Sequence, residues 1–239
     1  MLKVSIIIPV FNEENTVASI IHKIKALELP GIEKEIIVVN DGSSDQTQKI
    51  VQRIPNIRTF SHAVNQGKGA ALKTGIRHST GDIILFQDAD LEYTPQDYGL
   101  LLKPLLEKKV EFVMGSRFIH KNLELLTKDG IPLFSHYVGN KLIIWITNFL
   151  YRQKNTDYEG CYKAFSRNIA CSIPIETNGF DFDNELICKV LRLGYKILEV
   201  PIHYKPRTYS EGKKIKWKDG IRMLWTIIKW RLMSFDSLS

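Results

Sequence analysis

The sequence predicts an α/β fold, a mostly parallel sheet flanked by helices, and three observations carry that prediction. Short apolar, β-branched runs alternate with segments of helical period through the first half of the chain. The helical segments are long enough to serve as crossovers, which pairs successive strands in parallel and gives a doubly wound sheet. Finally, 239 residues at 44% hydrophobic and 25% charged suffice to bury a sizeable core, in one large domain or one domain with an appendage.

Val4 to Val10 is apolar and β-branched, carries Pro9 and stops at Asn12, as a buried strand does. A helical pattern over Glu13 to Leu29 follows, with Val17, Ile20, Ile21, Ile24 and Leu27 on one face. Glu35 to Asn40 is the second strand. It ends in Asp41-Gly42-Ser43-Ser44-Asp45, a turn rich in helix-capping groups, before a helix over 46–53. Ile57 to Ser61 is a short third strand and Lys68 to His78 a helix. Asp82 to Gln87 is the fourth strand, ending in Asp88-Ala89-Asp90. Pro95 marks the start of a helix that reaches Lys108, and Val110 to Met114 is the next strand. Beyond Arg117 the rhythm breaks. A loop at 130–135 leads to an apolar helix over Tyr137 to Tyr151, a strand over Cys161 to Phe165, a helix over Phe182 to Leu193 and a strand over Tyr195 to Tyr204. A basic loop and a helix over Lys216 to Met233 close the chain. The main domain is expected over 1–212 and a basic amphipathic helix and tail over 213–239.

The net charge is +7, and the segment from Lys205 to Arg231 holds nine basic residues against Glu211 and Asp219. Such an end suits anionic lipid, phosphorylated substrate or nucleic acid, or it is a solvated face. No nucleic-acid recognition module accompanies it, so a nucleic-acid partner is not expected. Cys161, Cys171 and Cys188 match no zinc or redox spacing and read as reduced thiols in a cytoplasmic protein. The six histidines show no ligand spacing, and His136, near Asn140-Lys141, is the one to watch. The start of the chain lacks signal-peptide character, and no stretch reaches the length of a membrane span.

Ligands of open parallel sheets bind beyond the carboxyl ends of the strands. Here those ends carry Asn12-Glu13, Asp41, Asp88-Ala89-Asp90 and Ser116-Arg117. Taken singly, each acid could be a helix cap or first-turn acid. Gathered at one edge, several carboxylates repel unless a cation neutralises them. Mg2+ or Mn2+ suits a few carboxylates completed by phosphate oxygens. Gly67-Lys68-Gly69 lacks P-loop spacing; it can admit a ligand to the backbone or simply make a tight turn.

Ser5 to Glu13, Val39 to Asp45, Gln66 to Ala71 and Gln87 to Glu92 together resemble family 2 glycosyltransferases of the GT-A fold. Gly115 to Phe118, Gly139 to Lys141, Thr156 to Lys163, Glu199 to Ile202 and Tyr204 to Ile215 resemble the dolichol- or polyprenol-phosphate mannose synthase group. The resemblance covers nearly the whole chain. It implies that Pro9, Glu13 and Asp41 line the nucleoside pocket and that Asp88 and Asp90 face metal and diphosphate. Glu92 would be a further metal contact, standing where the group often has Gln. Arg117 and Arg207 would face donor or acceptor phosphates, with Lys213 a helper.

The expected reaction is inverting transfer of a hexose, mannose or glucose, from a GDP- or UDP-sugar to a polyprenyl-phosphate-type acceptor. The metal and the arginines would offset charge on the leaving diphosphate, and an anionic phosphate acceptor needs no strong base. For a hydroxyl of a glycan or lipid, Asp183 and Glu185 are the fallback bases. A nucleotide-sugar-binding protein without turnover is the remaining alternative. The last helix presents Trp217, Ile221, Leu224, Trp225, Ile228 and Leu232 on one face. It is either interfacial, placing the protein peripherally at the inner face of an anionic membrane, or docked on the domain.

Overall fold

A computed structural model describes residues 1–119, 134–207 and 217–236. Strand β1 (Leu2–Val10) lies in parallel between β2 (Ile32–Asn40) and β4 (Ile83–Phe86), and β2 pairs in parallel with β3 (Arg58–Ser61). β5 (Phe112–Ser116) runs parallel to β7 (Ile197–Pro201), while β6 (Lys163–Ser166) is inserted antiparallel between β4 and β5. The order is β3-β2-β1-β4-β6-β5-β7. The sheet is thus mostly parallel, as expected. The antiparallel strand has no local signal, because its place follows from the long excursion after β5. Pro9 sits two residues beyond Ile7, the last β1 residue that β4 pairs, so its missing N–H breaks no ladder on that side.

Helices α1 (Val17–Ala26), α2 (Thr47–Gln52) and α4 (Tyr98–Leu106), the last entered through a 3-10 turn at Pro95–Asp97, cover one face. α3 (Lys68–His78) and α7 (Phe182–Arg192) cover the other, with α5 (Phe134–Tyr151) and α8 (Trp217–Leu232) outside α7. Alternation along β1 divides the core. Ile6 and Ile8 pack with Ile20, Ile21 and Leu102, whereas Ile7 packs with Leu72, Phe86 and Leu186. Each such side chain contributes about 1.5–3 kcal/mol by leaving water. α1 is shorter than its pattern suggests, because residues 13–16 turn to carry site groups rather than helix. The six-residue α6 (Arg167–Ser172), which the pattern does not reveal, begins where Ser166 accepts the Ile169 N–H.

One buried carboxylate fastens the edge opposite the functional end. Glu35 on β2 accepts from Ser5 Oγ, Arg58 Nη1 (2.6 Å) and Thr80 N (2.8 Å). Burial acts to raise its pKa, but these donors outweigh it and hold it down at about 2. Folding therefore favours the ionised form. That contribution is complete above the unfolded value of about 4.3 and is lost as pH falls towards about 2. Glu35→Gln is expected to cost about 1–3 kcal/mol at neutral pH. Urea unfolding across acid pH should show the gap to wild type closing as the solution becomes more acidic.

Candidate active site

The carboxyl ends of β2, β1 and β4 lie side by side, at the point where the strand order reverses. Asn12 (φ 51°) and Leu91 (φ 63°) adopt left-handed backbone there, which asparagine tolerates and leucine bears at a steric cost. Gln87, fully buried, accepts both Tyr98 Oη (2.8 Å) and Tyr162 Oη (2.9 Å) and donates to the Asp88 carbonyl (2.9 Å). The turn that carries Asp88 and Asp90 is thereby held rigidly from below.

Arg207 joins the acids. Its guanidinium donates to both Glu13 oxygens (3.2 and 3.1 Å) and to Asp90 Oδ2 (3.2 Å). Its own N–H donates to Glu92 Oε1 (2.8 Å), and Lys205 N donates to the Glu92 carbonyl (2.9 Å). Asp97 anchors the same segment by accepting His203 N and Nδ1, each at 2.8 Å. Glu13, Asp90, Glu92 and Arg207, from three separate stretches of sequence, therefore form one group. Burial, then the negative charges of Asp88 and Glu92, push the Asp90 carboxyl up to about 7, against the opposing pull of Arg207. Asp88 goes the other way. Burial opposes its ionisation, but the Lys68 ammonium 2.7 Å from Oδ1 holds its pKa below the usual carboxylate range.

Behind Asp88 lies a second layer. Lys163, fully buried on β6, donates to the Gly160 carbonyl (2.5 Å) and pairs with Asp183 (3.2 Å) at the start of α7. Gly67 (φ +105°) and Gly69 make a tight turn. A Cβ at Gly67 would stand 2.3 Å from the Asn178 carbonyl oxygen, so only glycine lets α3 begin against residues 178–182. That close approach delivers Lys68 to Asp88.

Three expected residues lie differently. Glu185 is not at the site: it is fully buried on α7, bound to Lys189 Nζ (2.6 Å) and to the N–H groups of Glu176 and Thr177. A base so enclosed reaches no acceptor. Asp183, two residues and about 200° around the helix from it, faces the acidic end instead. Arg117 spends its fork on Asp157, with Nε–Oδ2 at 2.7 Å and Nη2–Oδ1 at 2.9 Å, tying β5 to the 157 loop rather than facing phosphate. Asp41 turns inward, accepting Gln66 N (3.0 Å), Gly67 N (2.8 Å) and His62 Nδ1 (2.6 Å), and so shapes the 62–67 loop. Pro9 is half-buried at the end of β1. Asp45 caps its turn, accepting Thr47 N (2.9 Å). Lys213 lies outside the described residues, as does the side chain of His136.

Residues 5–171 match the model of glycosyl transferase family 2. The chain belongs to that family. Within it, this glycosyltransferase resembles the polyprenol-phosphate sugar synthase-like group. It is 30% identical to an uncharacterized protein of Methanocaldococcus jannaschii, over 95% of this chain and 91% of that one. It is also 30% identical to a dolichyl-phosphate beta-glucosyltransferase of Trichomonas vaginalis, over 92% of this chain and 70% of that one. Glycosyltransferase AglD of Haloferax volcanii is 26% identical over 86% of this chain, which spans only 34% of AglD. Among solved structures, glucosyl-3-phosphoglycerate synthase from Mycobacterium tuberculosis, crystallised with Mn2+, uridine diphosphate and phosphoglyceric acid, superposes with a TM-score of 0.73. That match covers 98% of this chain and 80% of the other at 23% identity, and it establishes the GT-A fold.

The acids of this glycosyltransferase fit a hard divalent cation. Like charges are crowded enough to push Asp90 to about 7, and every donor is an oxygen. Among the described residues no three acid, His or Cys side chains close into a protein cage, so phosphate oxygens and water would complete the sphere, as Mg2+ and Mn2+ prefer. Buried Arg207 Nε, with no acceptor among the described residues, is a donor left for an incoming group.

Proposed function

We propose that this glycosyltransferase moves a hexose, glucose or mannose, from a UDP- or GDP-sugar to a polyprenyl-phosphate-type acceptor, with inversion, at the cytoplasmic face of a membrane. One observation carries the reading: Arg207 gathers Glu13, Asp90 and Glu92 into a single group beside the Lys68–Asp88 pair. Asp90, with one neighbouring carboxylate, Asp88 or Glu92, would hold Mg2+ or Mn2+, which when bound offsets charge on the leaving diphosphate. Arg207 and Lys68 are cations already aimed at these acids, and each can turn to phosphate oxygens as they arrive. A phosphate acceptor is anionic and attacks without a base, which suits a site whose Asp183 is engaged by Lys163. The named relatives from Trichomonas and Haloferax support the family of reaction, and the first of them supports a lipid-phosphate acceptor. In a second reading, transfer to a hydroxyl, Asp183 would have to leave Lys163 before it could take the proton.

The test is incubation with a panel of UDP- and GDP-hexoses and a short polyprenyl phosphate, followed by mass detection of the lipid. A glycosyl phosphodiester that mild acid cleaves, and that chelation suppresses, is the expected product. An acid-stable glycoside would establish the hydroxyl reading. Nucleotide binding without any product would leave only a binding protein.

A further inference from the structure

α5 and α8 both rest on α7 and on each other, and Tyr151 Oη donates to the Ile227 carbonyl across their contact (2.9 Å). Ile143, Met223, Ile227 and Trp230 are buried there. The docking of both helices is thus satisfied by their inner faces. Each nevertheless keeps a second apolar stripe outside. On α5, Leu142, Trp145 and Phe149 are 45%, 64% and 71% exposed. On α8, Ile221, Trp225 and Leu232 are 57%, 65% and 78% exposed. Each set recurs at the spacing of one helical face. Trp145 and Phe149 stack on each other with centroids 5.8 Å apart, still in contact with solvent. Both helices are seated on α7 and contact each other, and each stripe lies on the solvent-facing side of its helix.

The charge around the stripes selects the occupant. Lys141, Arg152 and Lys154 are exposed on and just after α5, and Lys218, Arg222 and Arg231 on α8. Apolar and aromatic groups framed by cations match a bilayer with anionic headgroups. No described helix is long and apolar enough to cross it. The stripe also begins beside the functional edge. Lys141 Nζ lies 4.6 Å from the Phe118 ring, next to Arg117 at the end of β5.

We propose that the outward faces of α5 and α8 form one interfacial platform that seats the protein on an anionic bilayer, with Trp145, Phe149 and Trp225 at headgroup depth. The two readings of the last helix are then both true, one for each face. The value of the platform for acceptor delivery rests on the function proposed above; adsorption itself does not.

Sedimentation of the full chain with phosphatidylcholine vesicles, with and without phosphatidylglycerol, tests it. Wild type should bind the phosphatidylglycerol vesicles and release as salt rises. Trp145→Glu combined with Trp225→Glu should lose binding about tenfold or more, whereas Leu100→Glu, on the outer side of α4, should not. Single Trp145→Gln and Trp225→Gln variants guard against misfolding of the double variant, each with a smaller loss. Equal sedimentation of wild type and variants overturns the platform. So does a wild-type dimer in light scattering that the double variant splits, since a second copy would then be the occupant. Transfer by wild type to a short acceptor in detergent tests the function separately, so either idea can fail without the other.

Discussion

Asp90→Asn is expected to lower kcat/KM on the order of 10²–10³-fold while leaving the metal-free fold at least as stable. The loss follows from electrostatics: a diphosphate leaving group gathers charge as the sugar departs, and a carboxylate-held cation is the largest local counter-charge. Stability should not fall, because the ionised Asp90 is held against its preference by burial and by Asp88 and Glu92, with its pKa pushed up to about 7. The amide keeps the shape and removes the repulsion. Thermal melts with and without Mn2+ should show wild type stabilised by the ion and the variant much less so. Initial rates over a Mn2+ titration give the catalytic half. Unchanged turnover in Asp90→Asn, together with wild-type activity that survives chelator, would remove Asp90 from the mechanism.

The positions of Glu13, Asp88 and Asp90 were legible because a β-branched run, its turn and the parallel-sheet rule locate strand ends without knowledge of partners. What those residues touch was not legible in the same way. Lys163 stands beside the site only because β6 is threaded antiparallel beside β4, a placement set by the long stretch from Phe86 to Lys163 and not by any local pattern. Arg117 and Asp157, forty residues apart, meet for the same reason. Asp41 reads as a ligand until the loop carrying Gln66 and Gly67 folds back and supplies its donors. Glu185 was a different matter, for its signal was local. Lys189 stands four residues on, an arrangement that marks an ion pair along the helix, and Asp183 lies on another face. Applying the helical period to the acids of α7 separates the buried carboxylate from the one at the site. α8 needed both of its faces to be weighed at once, since Trp225 is open while Trp230 is covered.

Arg207→Ala should move two observables in opposite directions. In the metal-free protein the guanidinium bridges Glu13 and Asp90, so it competes with a divalent ion for Asp90 oxygens. Removing one unit charge about 4 Å away is worth about 1–4 kcal/mol at surface-like screening, so Mn2+ without donor is expected to bind about tenfold or more tightly. Turnover should nevertheless fall by about 10²-fold, because the same cation is the one placed to meet the departing diphosphate. The backbone of the segment stays anchored, since Lys205 N and residue 207's own N–H still donate to Glu92 and His203 still donates to Asp97. Arg207→Lys refines the result. A lysine restores the charge but not the planar fork that spans two carboxylates, so Mn2+ affinity should return towards wild type while turnover recovers only in part. Electron paramagnetic titration of Mn2+ and steady-state rates on the same preparations separate the two effects. If Mn2+ affinity and turnover both stay at wild-type levels in Arg207→Ala, Arg207 is only a strap for the 203–207 segment, and the electrostatic assembly at this strand edge must be assigned to Lys68.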